Sequence, residues 1–202
     1  MGGSGSTLRG NNRTYSNIDY DEAERLRAQA YGMSDGDAYM EVKNALGAYE
    51  GSSYSFRLND ALRSDGKLTD NQQQRVDKMD NAMRPIGKDV NVVRNVDTSY
   101  MRDVLGISLN GNIADQVNTA NSKLKGTILQ EKAYMSTSYD ASRNMFTARP
   151  VQMRIQAPSN AKGIFGTVTG ESEIVFARNT KYVIRSISFD GSKIYVDATI
   201  VP

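Results

Sequence analysis

A chain of 202 residues with no cysteine and no histidine excludes disulfides, thiolate nucleophiles, imidazole acid–base catalysis and metal sites built on Cys or His ligands. Its formal net charge of +2 provides no strong field that would favour nucleic acid or an anionic membrane. No stretch approaches the roughly 20 apolar residues that span a bilayer and no apolar signal segment opens the chain, so we expect a soluble protein that acts in a cytoplasm, with delivery into a host cell left open.

The chain begins with the Gly/Ser-rich stretch MGGSGST, and we expect residues 1–15 to form a flexible leader. Residues 16–202 are enough for a single domain with a sizeable core. Within that domain, residues 16–88 have a helical pattern and residues 89–202 have a β-rich pattern.

Apolar residues in the first half recur at helical spacing, with capping and breaking residues between the segments. The predicted helices begin near Asp21, Ser34, Tyr54 and Thr69 and end near Tyr31, Gly51, Arg63 and Pro85. Their apolar faces are expected to pack in the core rather than to bind a ligand.

The second half changes to short runs rich in β-branched and aromatic residues. The predicted strands are DVNVVR (89–94), GTILQEKAYMSTS (126–138), VQMRI (151–155), EIVFAR (173–178), KYVIRSISF (181–189) and KIYVDATIV (193–201). The sequence DGS at 190–192 is a hairpin signal between the last two strands. Helices followed by strands predict an α+β fold with a largely antiparallel sheet or sandwich.

Two glutamates, Glu171 and Glu173, stand at the start of the EIVFAR strand. In an extended strand, residues i and i+2 project to the same face, so these carboxylates could address two adjacent centres. A solvated strand entrance is the commoner explanation for such a pair.

Hydroxyl and guanidinium groups also stand at predicted strand ends. The sequence STS at 136–138 can hydrogen-bond a carboxylate, a ribose or a phosphate, and Arg94 presents a planar fork of donors that suits a pyrophosphate. Each of these features alone is more often an ordinary surface residue or turn. The glycines of GIFGTVTG (163–170) match neither the dinucleotide fingerprint nor the P-loop, so this segment is interpreted as a flexible loop between strands. Phe165 within it is either a buried packing residue or a contact to another macromolecule.

Taken in order, an arginine that ends a strand, then STS, then ESE resemble the R-S-E signature of mono-ADP-ribosyltransferases. The likeness is to the branch of actin-modifying binary toxins and their phage and bacterial relatives. The stretches that carry it are YSFRLNDALR, VNVVR, AYMSTSYD, FTARPVQMRIQAP, AKGIFG and GESEIVFARNTKYVI. The resemblance implies helices packed on a split β-sandwich core, and transfer of ADP-ribose from NAD⁺ to a protein side chain with release of nicotinamide.

The resemblance also implies a role for each matching residue. Glu173 corresponds to the catalytic carboxylate that binds the nicotinamide ribose, and Ser136 to the serine that orients it. Arg94 corresponds to the arginine that contacts the NAD⁺ phosphates, while Thr137 and Ser138 complete the wall of the site. The residue after Arg94 is Asn95, where toxin relatives often carry a second basic residue.

Further residues are implied in binding the two substrates. Phe146 and Arg149 resemble the aromatic and basic residues of the nicotinamide and phosphate loop. The residues implied in recognition of the protein substrate are Phe165, Val168 and Glu171. A glutamate at the first position of the E-x-E pair is associated with transfer to arginine, whereas relatives with glutamine there typically modify asparagine.

Three alternatives stay open at this point. Water could replace the protein acceptor, which would make the chain an NAD⁺ glycohydrolase, or the fold could be a catalytically silent binding module. Nucleic acid is a possible acceptor without any charge signal in its favour. We expect no metal cofactor and a monomeric protein.

Overall fold

The computed structural model describes residues 13–32, 36–50, 54–143, 146–166 and 172–201. The helices are α1 (Tyr20–Tyr31), α2 (Asp37–Glu50), α3 (Tyr54–Arg63), α4 (Asp70–Ala82), α5 (Thr98–Asp103) and α6 (Ile113–Leu124). The strands are β1 (Arg84–Pro85), β2 (Val90–Val96), β3 (Ile128–Glu131), β4 (Met135–Ser138), β5 (Val151–Ala157), β6 (Lys162–Phe165), β7 (Glu173–Phe176), β8 (Thr180–Phe189) and β9 (Ile194–Val201). These elements confirm the predicted α+β class.

The ends of the N-terminal helices follow from their capping residues. The predicted capping box at α4 is confirmed, because Thr69 accepts a hydrogen bond from the backbone of Gln72 and Gln72 accepts one in return. Helix α1 begins earlier than predicted: Asp19, not Asp21, is the N-cap, with its carboxylate accepting from the Glu22 backbone N–H at 2.9 Å. The predicted end signals of α2, Ser34 and Gly51, lie outside the described residues.

The sheet is largely antiparallel, as predicted. In the described residues its nine strands follow the order β1-β6-β7-β4-β2-β5-β9-β8-β3, and only the β5–β9 pair within this order is parallel. Strand β2 is paired with β5 along its whole length, but with β4 only at Val93 and Ser138. The sheet therefore divides between β2 and β4, and the two parts diverge there.

The predicted strand over 126–138 is in fact two strands in different parts of the sheet. Strand β3 pairs with β8, whereas β4 pairs with β7. The chain turns between them, and the Glu131 side chain accepts a hydrogen bond from the backbone N–H of Ala133 at 3.1 Å. This bond lies within the turn that separates the two strands.

The predicted loop over 163–170 begins with strand β6, which is a correction. Its residues pair with β7, with Gly163 opposite Phe176. A Cβ added at Gly163 would lie 3.1 Å from the backbone oxygen of Val175. Gly163 therefore allows close packing between strands and does not provide the flexibility that was expected of it.

Two helices in the β-rich half were not predicted. Asp97 and Asn112 cap α5 and α6, each by accepting hydrogen bonds from the first-turn backbone. Helix α6 is fixed to the sheet by Asn121, whose side-chain oxygen accepts from the backbone N–H of Ile187 at 2.8 Å.

The core confirms that the predicted helical stripes are packing surfaces. One cluster joins the helices α2, α3 and α4 to the face of β6 and β7, through residues such as Leu46, Leu58, Met79 and Ile164. A second cluster fills the space between the sheet and the helices α1, α5 and α6. Burial of each large apolar side chain contributes about 1.5–3 kcal/mol, which makes the helical layer a rigid support.

Candidate active site

A cleft of about 800 Å³ opens where the two parts of the sheet diverge, beside α3. Its volume lies within the range of about 300–1,000 Å³ that is usual for small-molecule and cofactor sites. The sequence-predicted residues that line it are Arg94, Ser136, Thr137, Ser138, Phe146, Arg149 and Glu173. Strands β2, β4 and β7 thus bring together residues that are far apart along the chain.

The pairing of β4 with β7 sets the position of Glu173. Ser138 is its direct cross-strand partner, so Ser136 lies on the diagonal, within side-chain reach. The Ser136 hydroxyl donates a hydrogen bond to Oε1 of Glu173. Thr137 points away from this pair and donates to the backbone oxygen of Ile174 at 2.8 Å, which holds the two strands in register.

The predicted same-face arrangement of Glu171 and Glu173 rested on an extended backbone between them. Ser172 instead has a φ of 48°, in the left-handed region, and β7 begins at Glu173. The backbone at Ser172 is therefore not extended, although the same-face prediction required an extended backbone there. Glu171 itself lies outside the described residues, and so does Val168.

Phe165 does not lie on a recognition surface. It ends β6, is 3% exposed and packs in the core cluster beneath the sheet. The structure thus corrects its expected contact with a protein substrate, in favour of the buried packing role. Both faces of β6 are covered, because Ile164 packs in the cluster of the helices α2, α3 and α4 while Phe165 packs in the cluster on the opposite face.

Phe146 and Arg149 lie together on one side of the cleft mouth. The Arg149 guanidinium lies 4.0 Å from the centroid of the Phe146 ring and donates to the backbone oxygen of Asn95 at 3.0 Å. Phe146 is 48% exposed, and its ring centroid is 6.3 Å from that of Phe56 on α3. Two exposed aromatic rings therefore flank the opening.

A cluster of charged side chains around Arg94 was not predicted as part of the site. Arg94 Nη1 lies 3.3 Å from Oε2 of Glu131, and Arg63 Nε donates to Oε1 of the same carboxylate at 3.0 Å. Arg63 ends the stretch YSFRLNDALR, which carried the resemblance but gave this residue no role, and Glu131 ends a strand without any local signal. Only the fold brings them to the cleft.

Buried polar groups form the floor of the cleft. Asn59 on α3 donates to the Tyr49 hydroxyl at 2.8 Å and accepts from the Tyr134 backbone N–H at 3.3 Å. Burial raises the pKa of Tyr49 to about 12, so its hydroxyl stays protonated at neutral pH. The floor is neutral, and the cleft is charged at its walls.

The groups in the cleft suit a dinucleotide. Guanidinium groups bind diphosphates, hydroxyl and carboxylate groups bind ribose, and exposed rings can contact a flat base. In the parts of the chain that the structure describes, no group of three or more acidic side chains is placed to hold a metal ion. Over the same residues, no helix combines the length and the apolar character needed to cross a membrane.

Several solved structures share this fold. C3stau2 from S. aureus, solved with NAD, is 20% identical with a TM-score of 0.74, over 94% of this chain and 99% of that one. Plx2a, an ADP-ribosyltransferase toxin from Paenibacillus larvae, is 23% identical with a TM-score of 0.72, over 92% and 98%. BECa of a C. perfringens binary enterotoxin, solved with NADH, is 20% identical with a TM-score of 0.67, over 90% of this chain and 47% of that one.

A protein-family model matches most of the chain. No curated protein sequence matches the chain. The family model of the ADP-ribosyltransferase exoenzymes, however, matches residues 23–201, which include every element from α1 to β9 except the first residues of α1. The chain therefore belongs to the ADP-ribosyltransferase exoenzyme family.

Proposed function

We propose that the chain transfers ADP-ribose from NAD⁺ to an arginine side chain of a protein and releases nicotinamide. The observation that supports this most is the hydrogen bond from Ser136 to Glu173 in a cleft that Arg94 also lines. The E-x-E sequence at 171–173 favours arginine as the acceptor.

Glu173 is proposed as the catalytic carboxylate. NAD⁺ supplies an ADP-ribosyl group attached to a good leaving group, and positive charge develops on the ribose as that bond breaks. A carboxylate held beside this charge stabilises the transition state electrostatically, which is often the largest catalytic contribution. The bond from Ser136 keeps Glu173 in one orientation before the substrate arrives, so less reorganisation is needed during the reaction.

Arg94 and Arg149 are proposed to bind the phosphates of NAD⁺. Phe146 is proposed to contact the nicotinamide. The guanidinium fork of Arg94 matches phosphate oxygens, and the wall formed by Thr137 and Ser138 fixes the strand that carries Ser136.

Glu171 is proposed to act on the acceptor. An arginine guanidinium is a poor nucleophile, because it is protonated with a pKa above about 12 and its electrons are delocalised. A second carboxylate can hold the incoming cation and accept the proton that it loses as the new C–N bond forms. This role rests on the sequence, as does the proposed part of Val168 in recognition of the protein substrate.

The function is tested by incubating the chain with NAD⁺ labelled in its ADP-ribose part, together with a cell lysate. We expect labelled protein and, by mass spectrometry, ADP-ribose on arginine. Nicotinamide release without labelled protein would instead indicate a glycohydrolase, and absence of both would indicate a silent module. Label on RNA or DNA would contradict a protein acceptor. Heat-treated chain controls for chemical glycation by free ADP-ribose.

Gly166 is expected to keep Glu173 in place. Its backbone N–H donates to the Glu173 backbone oxygen at 2.8 Å, and a Cβ added here would lie 3.0 Å from Cβ of Glu173. Gly166→Ala should displace that carboxylate and lower kcat for nicotinamide release by about tenfold, with a loss of folding stability of about 1 kcal/mol.

Gly47→Ala is the matched control for this substitution. Gly47 lies within α2, and a Cβ added there meets no atom within 4 Å. It should leave nicotinamide release unchanged and stabilise the chain by about 0.5–1 kcal/mol in thermal unfolding. Equal kcat values for the two variants would argue against a role of Gly166 in the site.

A further inference from the structure

Glu131 is a carboxylate of the cleft that has no assigned role in the reaction. Glu131 ends β3, its side chain is 15% exposed, and it lines the cleft with Arg63 and Arg94. Arg63 contacts it through two nitrogens, with Nε–Oε1 at 3.0 Å and Nη2–Oε2 at 3.4 Å. Arg94 Nη1 lies 3.3 Å from Oε2. Two guanidinium groups from different elements therefore meet on one carboxylate.

Glu131 also shapes the chain that leads to the serine motif. Its Oε1 accepts a hydrogen bond from the backbone N–H of Ala133 at 3.1 Å, within the turn between β3 and β4. Strand β4 begins two residues later and carries Ser136. A single side chain thus links α3, β2 and the start of β4 around the cleft.

Two arginines that converge in a cleft repel each other unless an anion lies between them. Each also has a long side chain with many rotamers, and ordering these rotamers costs free energy when a ligand binds. Glu131 reduces both penalties before binding, and a second carboxylate, Asp60 Oδ1, lies 3.6 Å from Nη1 of Arg63. Because a guanidinium has five N–H donors, Arg94 and Arg63 can hold Glu131 on one side and still donate to a diphosphate.

The negative charge of Glu131 also has an opposing effect, since it repels a diphosphate. That repulsion is weakened because the cleft is open to water and Arg63 is 40% exposed. The ordering of rotamers, in contrast, applies to two long side chains at once, so its gain exceeds the weakened repulsion. We therefore propose that Glu131 is a positioning residue for dinucleotide binding, which orders Arg63 and Arg94 towards the diphosphate. This inference rests on the proposed function.

The test uses Glu131→Gln in the full chain, which keeps an oxygen for Ala133 and removes the charge. We expect the Kd for NAD⁺, measured by calorimetry, to rise about tenfold, while kcat for nicotinamide release changes less than about threefold. Asp65→Asn is the control, because Asp65 forms an exposed ion pair with the neighbouring Lys132 and should leave both values unchanged.

A double-mutant cycle with Arg63→Gln separates positioning from a general loss of structure. If Glu131 acts through the arginines, its substitution should weaken NAD⁺ binding by less than about threefold once Arg63 is already replaced. A Kd for Glu131→Gln that is unchanged or lower, or an equal effect in both backgrounds, would overturn the inference. A wild-type chain that neither binds NAD⁺ nor releases nicotinamide would overturn the proposed function itself.

Discussion

Glu173→Gln is expected to lower nicotinamide release from NAD⁺ by about a thousandfold and to abolish protein labelling. In the proposed mechanism, the negative charge of this carboxylate stabilises the positive charge that develops on the ribose. Loss of a single electrostatic group of this kind lowers the rate by a factor of about 10²–10³. The amide keeps the size of the side chain and an oxygen that can accept from Ser136. The measurement is the initial rate of nicotinamide formation at saturating NAD⁺.

Glu41→Gln is the control for replacing a carboxylate by an amide elsewhere in the chain, because Glu41 is an exposed residue of α2. It should be indistinguishable from the wild type. NAD⁺ affinity should change little in the Glu173 variant, since the diphosphate contacts are assigned to other residues. A rate within tenfold of the wild type would show that Glu173 is not the catalytic carboxylate.

Glu171→Gln is expected to separate the two half-reactions. Transfer to protein should fall by at least about a hundredfold, because no carboxylate would then accept the proton of the attacking guanidinium. Hydrolysis of NAD⁺ should persist within about threefold, since water needs no such help once Glu173 has stabilised the ribose. Both activities can be followed in one reaction, as nicotinamide release and as label on protein.

Glu173→Gln, measured for hydrolysis and transfer under the same conditions, is the variant with which Glu171→Gln is compared. The Glu173 variant should lose both activities, whereas the Glu171 variant should lose only one. Equal loss of hydrolysis and transfer in the two variants would contradict the division of roles between donor and acceptor.

Local sequence patterns predicted those parts of the fold that depend on interactions between residues close together in the sequence. The Thr69–Gln72 capping box placed the start of α4 correctly because its hydrogen bonds join residues three apart. The break between β3 and β4 was missed because both segments have strand composition, and the choice of partner strand is a long-range effect. Strand β6 was missed for a related reason: its glycine serves packing against β7.

In the candidate site too, the residues with a sequence motif were predicted and those brought in only by the fold were not. Arg94, Ser136 and Glu173 were identified through a motif whose order along the chain reflects adjacent strands of the sheet. Arg63 and Glu131 were given no role, because by residue type and position an arginine at a helix end and a glutamate at a strand end are ordinary surface residues. Phe165 was misjudged because both faces of β6 are covered by core clusters, and only the fold shows this.

A crystal structure of the Glu173→Gln variant with NAD⁺ would show directly whether this cleft binds the dinucleotide beside residue 173. We expect intact dinucleotide in the cleft, with its diphosphate on Arg94 and its nicotinamide ribose beside residue 173 and Ser136. Dinucleotide bound at another surface, or a cleft that stays empty at NAD⁺ concentrations far above the Kd of the wild type, would contradict it.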